Sequence, residues 1–145
     1  MKRFLLALSL LMVFTVASAQ VNRSKWTTDM LATKHQMIIE ELSLTPSQQK
    51  EFMPLYEAME KEIYQCNRNA RTIAATVEKK ANPKDSEYQQ AADALSNAKV
   101  REGEIEAKYY AKFSKILSKK QLFQLKQTEA NFARKMLSNS KQKKK

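Results

Sequence analysis

The chain has 145 residues, which is enough for one domain with a modest hydrophobic core. Gly occurs once and Pro three times, while Lys, Glu, Gln, Ala and Leu are abundant, so the composition favours an all-α protein. Lys and Arg number 26 against 15 acidic residues, and the net charge of +11 predicts acidic partners without choosing among nucleic acid, membrane and protein.

Residues 1–19 have the pattern of a signal peptide. The positive pair Lys2–Arg3 precedes an apolar core, Phe4–Val16, that is too short to span a bilayer comfortably, and a small-residue cleavage site follows it. We expect cleavage after Ala19 and a soluble mature chain in the periplasm, whose net charge falls from +11 to +9 when the two basic residues are lost. No Cys lies directly after the cleavage site, and no later segment is long and apolar enough to span a membrane. Nucleic acid is therefore not an expected partner, because DNA lies in another compartment.

A first amphipathic helix is predicted from about Thr27 to Glu41, after a loose start over residues 20–24. The residues expected to share its apolar face are Trp26, Met30, Leu31, Met37 and Ile38.

The start of a second helix follows at Leu44–Gln48, which reads LTPSQ. Thr45 is a good N-cap, Pro46 suits the first helical position, and Gln48 can reach back to the Thr45 amide to complete a capping box. Leu44 occupies the position of a hydrophobic staple, although its usual partner position holds the polar Gln49.

The second helix is predicted to run to about Lys80, as one long helix that can kink at Pro54. Its apolar and small residues recur at alternating steps of four and three, which is a heptad seam that needs a partner helix along its length. The seam residues are Phe52, Tyr56, Met59, Ile63, Cys66, Ala70, Ile73 and Val77.

A third helix is predicted from about Pro83 to Ile116, with Asn82 as its cap and Asp85 near its positive end. It matches the second helix in length, so the two are expected to form an antiparallel hairpin. Gly103 fits a bend or a close helix approach, and fits a solvated stretch equally well. The predicted seam is Tyr88, Ala92, Leu95, Ala98 or Lys99, Glu102, Ile105, Tyr109, Phe113 and Ile116.

A second capping box, LSKKQ, starts the fourth helix. Ser118 caps, Gln121 completes the box, and Leu117 can pack on Leu122 as a staple. This helix is predicted to run to about Leu137, with Leu122, Leu125, Phe132 and Met136 on one face. The helical domain then spans residues 20–138, and residues 139–145 are expected to be a disordered basic tail.

Two motifs of the form L-[ST]-x-x-Q, Leu44–Gln48 and Leu117–Gln121, in an exported, basic, all-helical chain resemble the Spy/CpxP family of small periplasmic proteins. The hallmark of that family is a pair of LTxxQ motifs, and the second motif here departs from it by Ser118 in place of Thr. The resemblance covers roughly Thr27 to Leu137. It implies an all-α, four-helix, elongated cradle built on the hairpin, which pairs into an antiparallel homodimer.

Members of this family act as ATP-independent chaperones of unfolding periplasmic proteins or as repressors of envelope-stress sensor kinases. The resemblance therefore implies unfolded or misfolded envelope proteins as partners, or the periplasmic domain of a sensor kinase. Basic residues would attract a client over distance, and exposed Met, Phe and Tyr would hold its apolar segments. The candidate client-binding residues are Lys61, Arg68, Arg71, Met53, Leu55 and Phe123. A structural coiled-coil protein that assembles only with itself or with an envelope partner is the third alternative.

Catalytic and metal sites are not expected from this sequence. The chain has one His and one Cys, His35 and Cys66, which lie on different predicted helices. The sequence therefore lacks the set of residues that a tetrahedral metal site or a catalytic triad requires. Met30 and Met37 fit core positions better than a soft-metal site. Cys66 on the seam fits a buried free thiol, and a disulfide between two protomers is the alternative. Membrane contact through Lys141–Lys145 is the less favoured role for the tail.

Overall fold

The computed structural model describes residues 28–142, and the side chains of residues 28–138. The described chain is all-helical and has no strand, which confirms the predicted all-α class. Helix α1 covers residues 28–41, and the others are α2 (Pro46–Glu78), α3 (Asp85–Phe113) and α4 (Lys119–Gln142). The predicted signal peptide, the loose start, Trp26 and the last three lysines lie outside the described residues.

Helix α3 begins two residues later than the sequence suggested, so the assignment of Asn82 as its cap is wrong. The N-cap is Lys84, whose backbone N–H donates to the Glu87 carboxylate at 3.0 Å. Glu87 stands three residues after Lys84, where a carboxylate reaches back most easily, and it also pairs with Lys80. At the other end of the chain, α4 continues past the predicted Leu137 to Gln142.

The predicted seam of α2 faces the core for most of its length. Its members Phe52, Tyr56, Met59, Ala70 and Val77 are buried, whereas Ile63 and Cys66 are half-buried and Ile73 is exposed. Helix α2 is continuous through Pro54, which is exposed. Contacts between α2 and α3 run along the pair, and these contacts form the antiparallel hairpin.

The predicted seam of α3 is wrong in its first third. Ala91 is buried there in place of Ala92, while Tyr88 and Leu95 are 54% and 44% exposed. Ala98, not Lys99, continues the seam, which then reaches Tyr109 and Phe113. The small alanines face α2, and the larger side chains beside them face outward.

Large rings fill the opposite end of the hairpin. The Phe52 and Phe113 rings meet edge to face with centroids 4.8 Å apart, and Tyr56 and Tyr110 lie 6.2 Å and 5.3 Å from Phe113. Phe52, Tyr56 and Phe113 are fully buried. The hairpin is therefore packed with aromatic rings where its helices meet the motifs, and with alanines toward its tip.

The described residues fall into two compact units. One unit is Leu42–Gln127, which holds the hairpin and the first turns of α4. The other contains α1 and the rest of α4, with Ile38 and Thr128 buried and a shallow groove of about 240 Å³ lined partly by Met30, Phe132 and Met136.

Candidate functional site

Both L-[ST]-x-x-Q motifs form complete capping boxes. The Gln48 backbone N–H donates to Thr45 Oγ1 at 3.2 Å, and the Thr45 N–H donates to Gln48 Oε1 at 3.2 Å. The same two bonds link Gln121 and Ser118, at 3.2 Å and 2.9 Å. Pro46 occupies the first turn of α2.

The two motifs also bind each other through their glutamines, Gln48 and Gln121, which we call the glutamine pair. Gln48 Nε2 donates to Gln121 Oε1 at 3.0 Å, and Gln121 Nε2 donates to Gln48 Oε1 at 3.1 Å. Each Nε2 also donates to a backbone carbonyl, that of Ile116 at 3.0 Å or that of Leu42 at 3.1 Å. Leu44 and Leu117 are the first residues of the two motifs, and both are buried at the starts of α2 and α4.

Every hydrogen-bonding position of the glutamine pair is occupied. A primary amide has two N–H donors and two acceptor lone pairs, and each amide here makes two bonds of each kind. The motifs therefore hold two helix starts together and leave these side-chain atoms no capacity for a ligand.

The predicted basic client residues lie on the outward side of α2. Lys61, Arg68 and Arg71 are all exposed, and their span of ten residues is about 15 Å along the helix. Arg71 Nε donates to the Asn67 carbonyl of its own helix at 3.3 Å. Within the described part of the chain, none of these three cations has an ion-pair partner.

The three predicted apolar client residues are not gathered at one place. Met53 and Leu55 are both half-buried, and they point to opposite flanks of α2 because two residues correspond to about 200° of helix rotation. Phe123 lies on α4 and is 65% exposed.

The hairpin also carries a set of exposed apolar residues that was not predicted from the sequence. Tyr64, which is 59% exposed, lies between Lys61 and Arg68 on α2, and Tyr88 and Leu95 lie on α3. Asn67 Nδ2 donates to the Glu102 carboxylate at 3.1 Å across the two helices and marks the side on which these residues lie. We call Tyr64, Arg71, Tyr88 and Leu95 the tyrosine face. Tyr64 follows Lys61 by three residues and precedes Arg68 by four, and this spacing could have indicated that Tyr64 shares the exposed helix face of those cations.

The opposite side of the hairpin carries a groove of about 530 Å³ between α2 and α3. Cys66 lies in its wall, with Sγ 3.9 Å from the Ala98 carbonyl oxygen. Ile73, Ile105 and Arg101 also line it. The groove has both apolar and charged walls.

An ion pair crosses the hairpin at the edge of this groove. Lys108 Nζ lies 2.7 Å from both carboxylate oxygens of Glu62. The hydrogen bond from Lys108 lowers the pKa of Glu62, and a bond from the Tyr109 hydroxyl adds to this effect. The pKa of Tyr109 is raised mainly by burial of its hydroxyl and, to a smaller extent, by the hydrogen bond to Glu62.

His35 is half-buried in α1 and belongs to the unit that does not contain Cys66. Among the described residues, no three His, Cys, Asp or Glu side chains are grouped as metal ligands. None of the described helices combines the length and hydropathy needed to cross a bilayer.

Comparison of the chain with protein-family models, with characterised proteins and with solved structures found no match. The resemblance to Spy/CpxP proteins therefore rests on the two motifs and their setting.

Proposed function

We propose that this protein binds unfolded or misfolded envelope proteins without using ATP, through the tyrosine face and the cations beside it. The observation that carries the proposal is the coexistence of exposed Tyr64, Tyr88 and Leu95 with Arg68 and Arg71, which have no ion-pair partner among the described residues. The helix seam is closed by smaller side chains, so these larger apolar groups are not needed by the core of the hairpin. Exposed apolar groups spread along a helical hairpin with cations beside them suit an extended chain that carries apolar segments and negative charge.

Binding would proceed in two stages. The net positive charge and the cations of α2 attract an acidic unfolded chain over distance, which raises the rate of encounter at low salt. The two tyrosines and Leu95 then contact apolar segments, and tyrosine accepts varied partners because it has an apolar ring and a polar end. Release follows when the client buries the same segments in its own core, so no nucleotide is required.

The proposal includes the export of the mature chain to the periplasm and the pairing of two elongated protomers into an antiparallel, cradle-shaped homodimer. Analytical ultracentrifugation at micromolar concentration tests the pairing, with a twofold mass expected.

The test is light scattering from a chemically denatured acidic client diluted into buffer with and without the protein. Equimolar protein is expected to suppress aggregation at low salt and less well at high salt. The double substitution Tyr64→Ser and Leu95→Ser is expected to weaken suppression. Val100→Ser is the matched control, because Val100 is 60% exposed but lies on the outer side of α3, away from the tyrosine face.

Equal suppression by the parent and the double variant would refute the role of the tyrosine face, and no suppression at any salt would refute the chaperone proposal. The exposed Lys61, Arg68 and Arg71 also favour a second candidate, a CpxP-like regulator that docks on an acidic sensor domain. Gene deletion should then raise an envelope-stress response in unstressed cells. A stable oligomer without affinity for either partner would instead support a structural coiled-coil role.

A further inference from the structure

A dense basic segment surrounds the turn from α3 to α4. Six lysines and no acidic residue occur between Ala107 and Thr128. Carboxylates elsewhere neutralise two of them, because Lys108 pairs with Glu62 and Lys126 pairs with Glu106, each at 2.7 Å. A third, Lys112, lies 4.9 Å above the Tyr109 ring.

The remaining three lysines have no such partner among the described residues. Lys115 lies in the turn, Lys119 and Lys120 open α4, and all three are exposed. No carboxylate of the described chain lies within ion-pair distance of them. Their charges are therefore available to a partner.

Phe123 lies on the same side of α4 as Lys119 and Lys120. It follows Lys119 by four residues and Lys120 by three, which places the ring between their stems on one helix face. The ring is 65% exposed, while its neighbour Leu125 is fully buried. The core of this unit therefore does not use Phe123. We call Lys115, Lys119, Lys120 and Phe123 the basic corner.

The placement of these lysines opposes helix stability. The first turn of α3 holds Asp85 and Glu87, as the helix dipole favours, whereas the first turn of α4 holds two lysines and no acid. Residues that break a local rule without a compensating contact point to a role outside the fold.

We propose that the basic corner docks on an anionic lipid surface, with the lysines at the lipid phosphates and the Phe123 ring in the acyl boundary. The charge complementarity is direct, because lysines near an anionic leaflet are each attracted to it and can extend along apolar surface while their ammonium groups stay at the headgroups. The ring projects from a helix and is not among the residues that line the hairpin groove. A projecting ring flanked by two lysines fits a layered surface, with charge outside and hydrocarbon beneath, better than it fits an acidic peptide.

The test places a fluorescent reporter at the corner. Trp26 is the only Trp, so Phe123→Trp in a Trp26→Phe background gives one emitter at the corner of the full chain. Vesicles of phosphatidylcholine with phosphatidylglycerol should shift its emission to shorter wavelength, and brominated acyl chains should quench it. Val100→Trp in the same background is the matched control, because Val100 has similar exposure on α3.

Lys119→Gln and Lys120→Gln, added to the Phe123→Trp reporter, should weaken vesicle binding about 25-fold, because each lysine contributes about fivefold. The same pair of changes at Lys50 and Lys79, both exposed on or beside α2, should have a much smaller effect. Circular dichroism verifies that each variant folds.

Unchanged emission of the Phe123→Trp reporter with anionic vesicles would overturn the proposal, as would an equal shift in the Val100→Trp control or an equal shift with pure phosphatidylcholine. A shift with polyglutamate and none with vesicles would also overturn it and assign the corner to acidic polypeptides. Loss of the shift on deletion of Lys141–Lys145, with no effect of the corner substitutions, would overturn it as well and transfer the binding to the tail. Client aggregation assays are separate, so failure here leaves the proposed chaperone function unaffected.

Discussion

Replacement of the glutamine pair gives the sharpest test of what the two motifs do. Gln48→Ala removes four hydrogen bonds: the one from the Thr45 amide, the one to the Ile116 carbonyl and two with Gln121. Gln121→Ala also removes four, of which the same two are shared. At about 0.5–1.5 kcal/mol for each of the four bonds, each single substitution should cost about 2–6 kcal/mol.

The double substitution decides whether the motifs act as one device. It removes six bonds, because the two between the glutamines are lost only once. Its cost should therefore fall short of the sum of the single costs by about 1–3 kcal/mol. If the motifs were independent caps, the costs would add within about 0.5 kcal/mol.

Urea unfolding followed by helical circular dichroism measures these free energies. Gln49→Ala is the matched control. Among the described residues, the Gln49 side chain makes one hydrogen bond, to the Leu44 carbonyl at 2.9 Å, so its loss should cost about 1 kcal/mol. Additive single and double costs would refute the coupling of the two motifs.

Gln48→Glu tests the donor role of the amide separately. A carboxylate can still accept from the Thr45 amide, but it places charge against the Ile116 carbonyl and Gln121 Oε1. The free energy of unfolding of this variant should be low at neutral pH and should rise in part at acidic pH, where the protonated carboxyl group donates one hydrogen bond. If the stability of the variant changed with pH no more than the stability of the parent does, the result would count against this hydrogen-bond geometry.

Three further predictions concern the hairpin. Gly103→Ala should raise the free energy of unfolding by about 0.5–1 kcal/mol in a urea titration, because its added Cβ meets nothing within 4 Å on a continuous helix. Phe113→Ala should lower it by about 3–5 kcal/mol, since the ring is fully buried among four others, and a loss below about 1 kcal/mol would contradict this packing. Hydrogen bonds from lysines lower the pKa values of Glu62 and Glu87 from 4.5, so these carboxylates stabilise the fold above that pH and stop doing so as the pH falls below it. A variant with both Glu62→Gln and Glu87→Gln should therefore lose less stability than the parent between about pH 7 and about pH 3.

The course of the fold along α2 was predictable because large apolar residues at heptad spacing define one face. The first third of α3 was not, since the α2–α3 contact there is made by Ala91 and Ala98 while Tyr88 and Leu95 face outward. Size-weighted periodicity then selects the wrong face. Small residues let two helices approach closely, and only the partner helix determines where that approach occurs.

The two capping boxes were predictable because each is local, with the glutamine three residues after its cap. Their binding to each other was not, since each glutamine already had a local role and the contact joins positions far apart in the chain. The tyrosine face was likewise missed, because exposure of Tyr64 and Leu95 depends on which flank of the hairpin its neighbours leave uncovered.

The glutamine pair also has a consequence for the order of folding. It joins residues 73 positions apart, so closing it costs the entropy of a loop that contains the whole hairpin. The helices and the α2–α3 hairpin involve shorter sequence separations and should form earlier on the folding pathway. The pair should then be absent from the transition state, and its loss should accelerate unfolding while the refolding rate stays nearly unchanged. The two motifs would thus set the lifetime of the native state, while the helices between them set how fast it is reached.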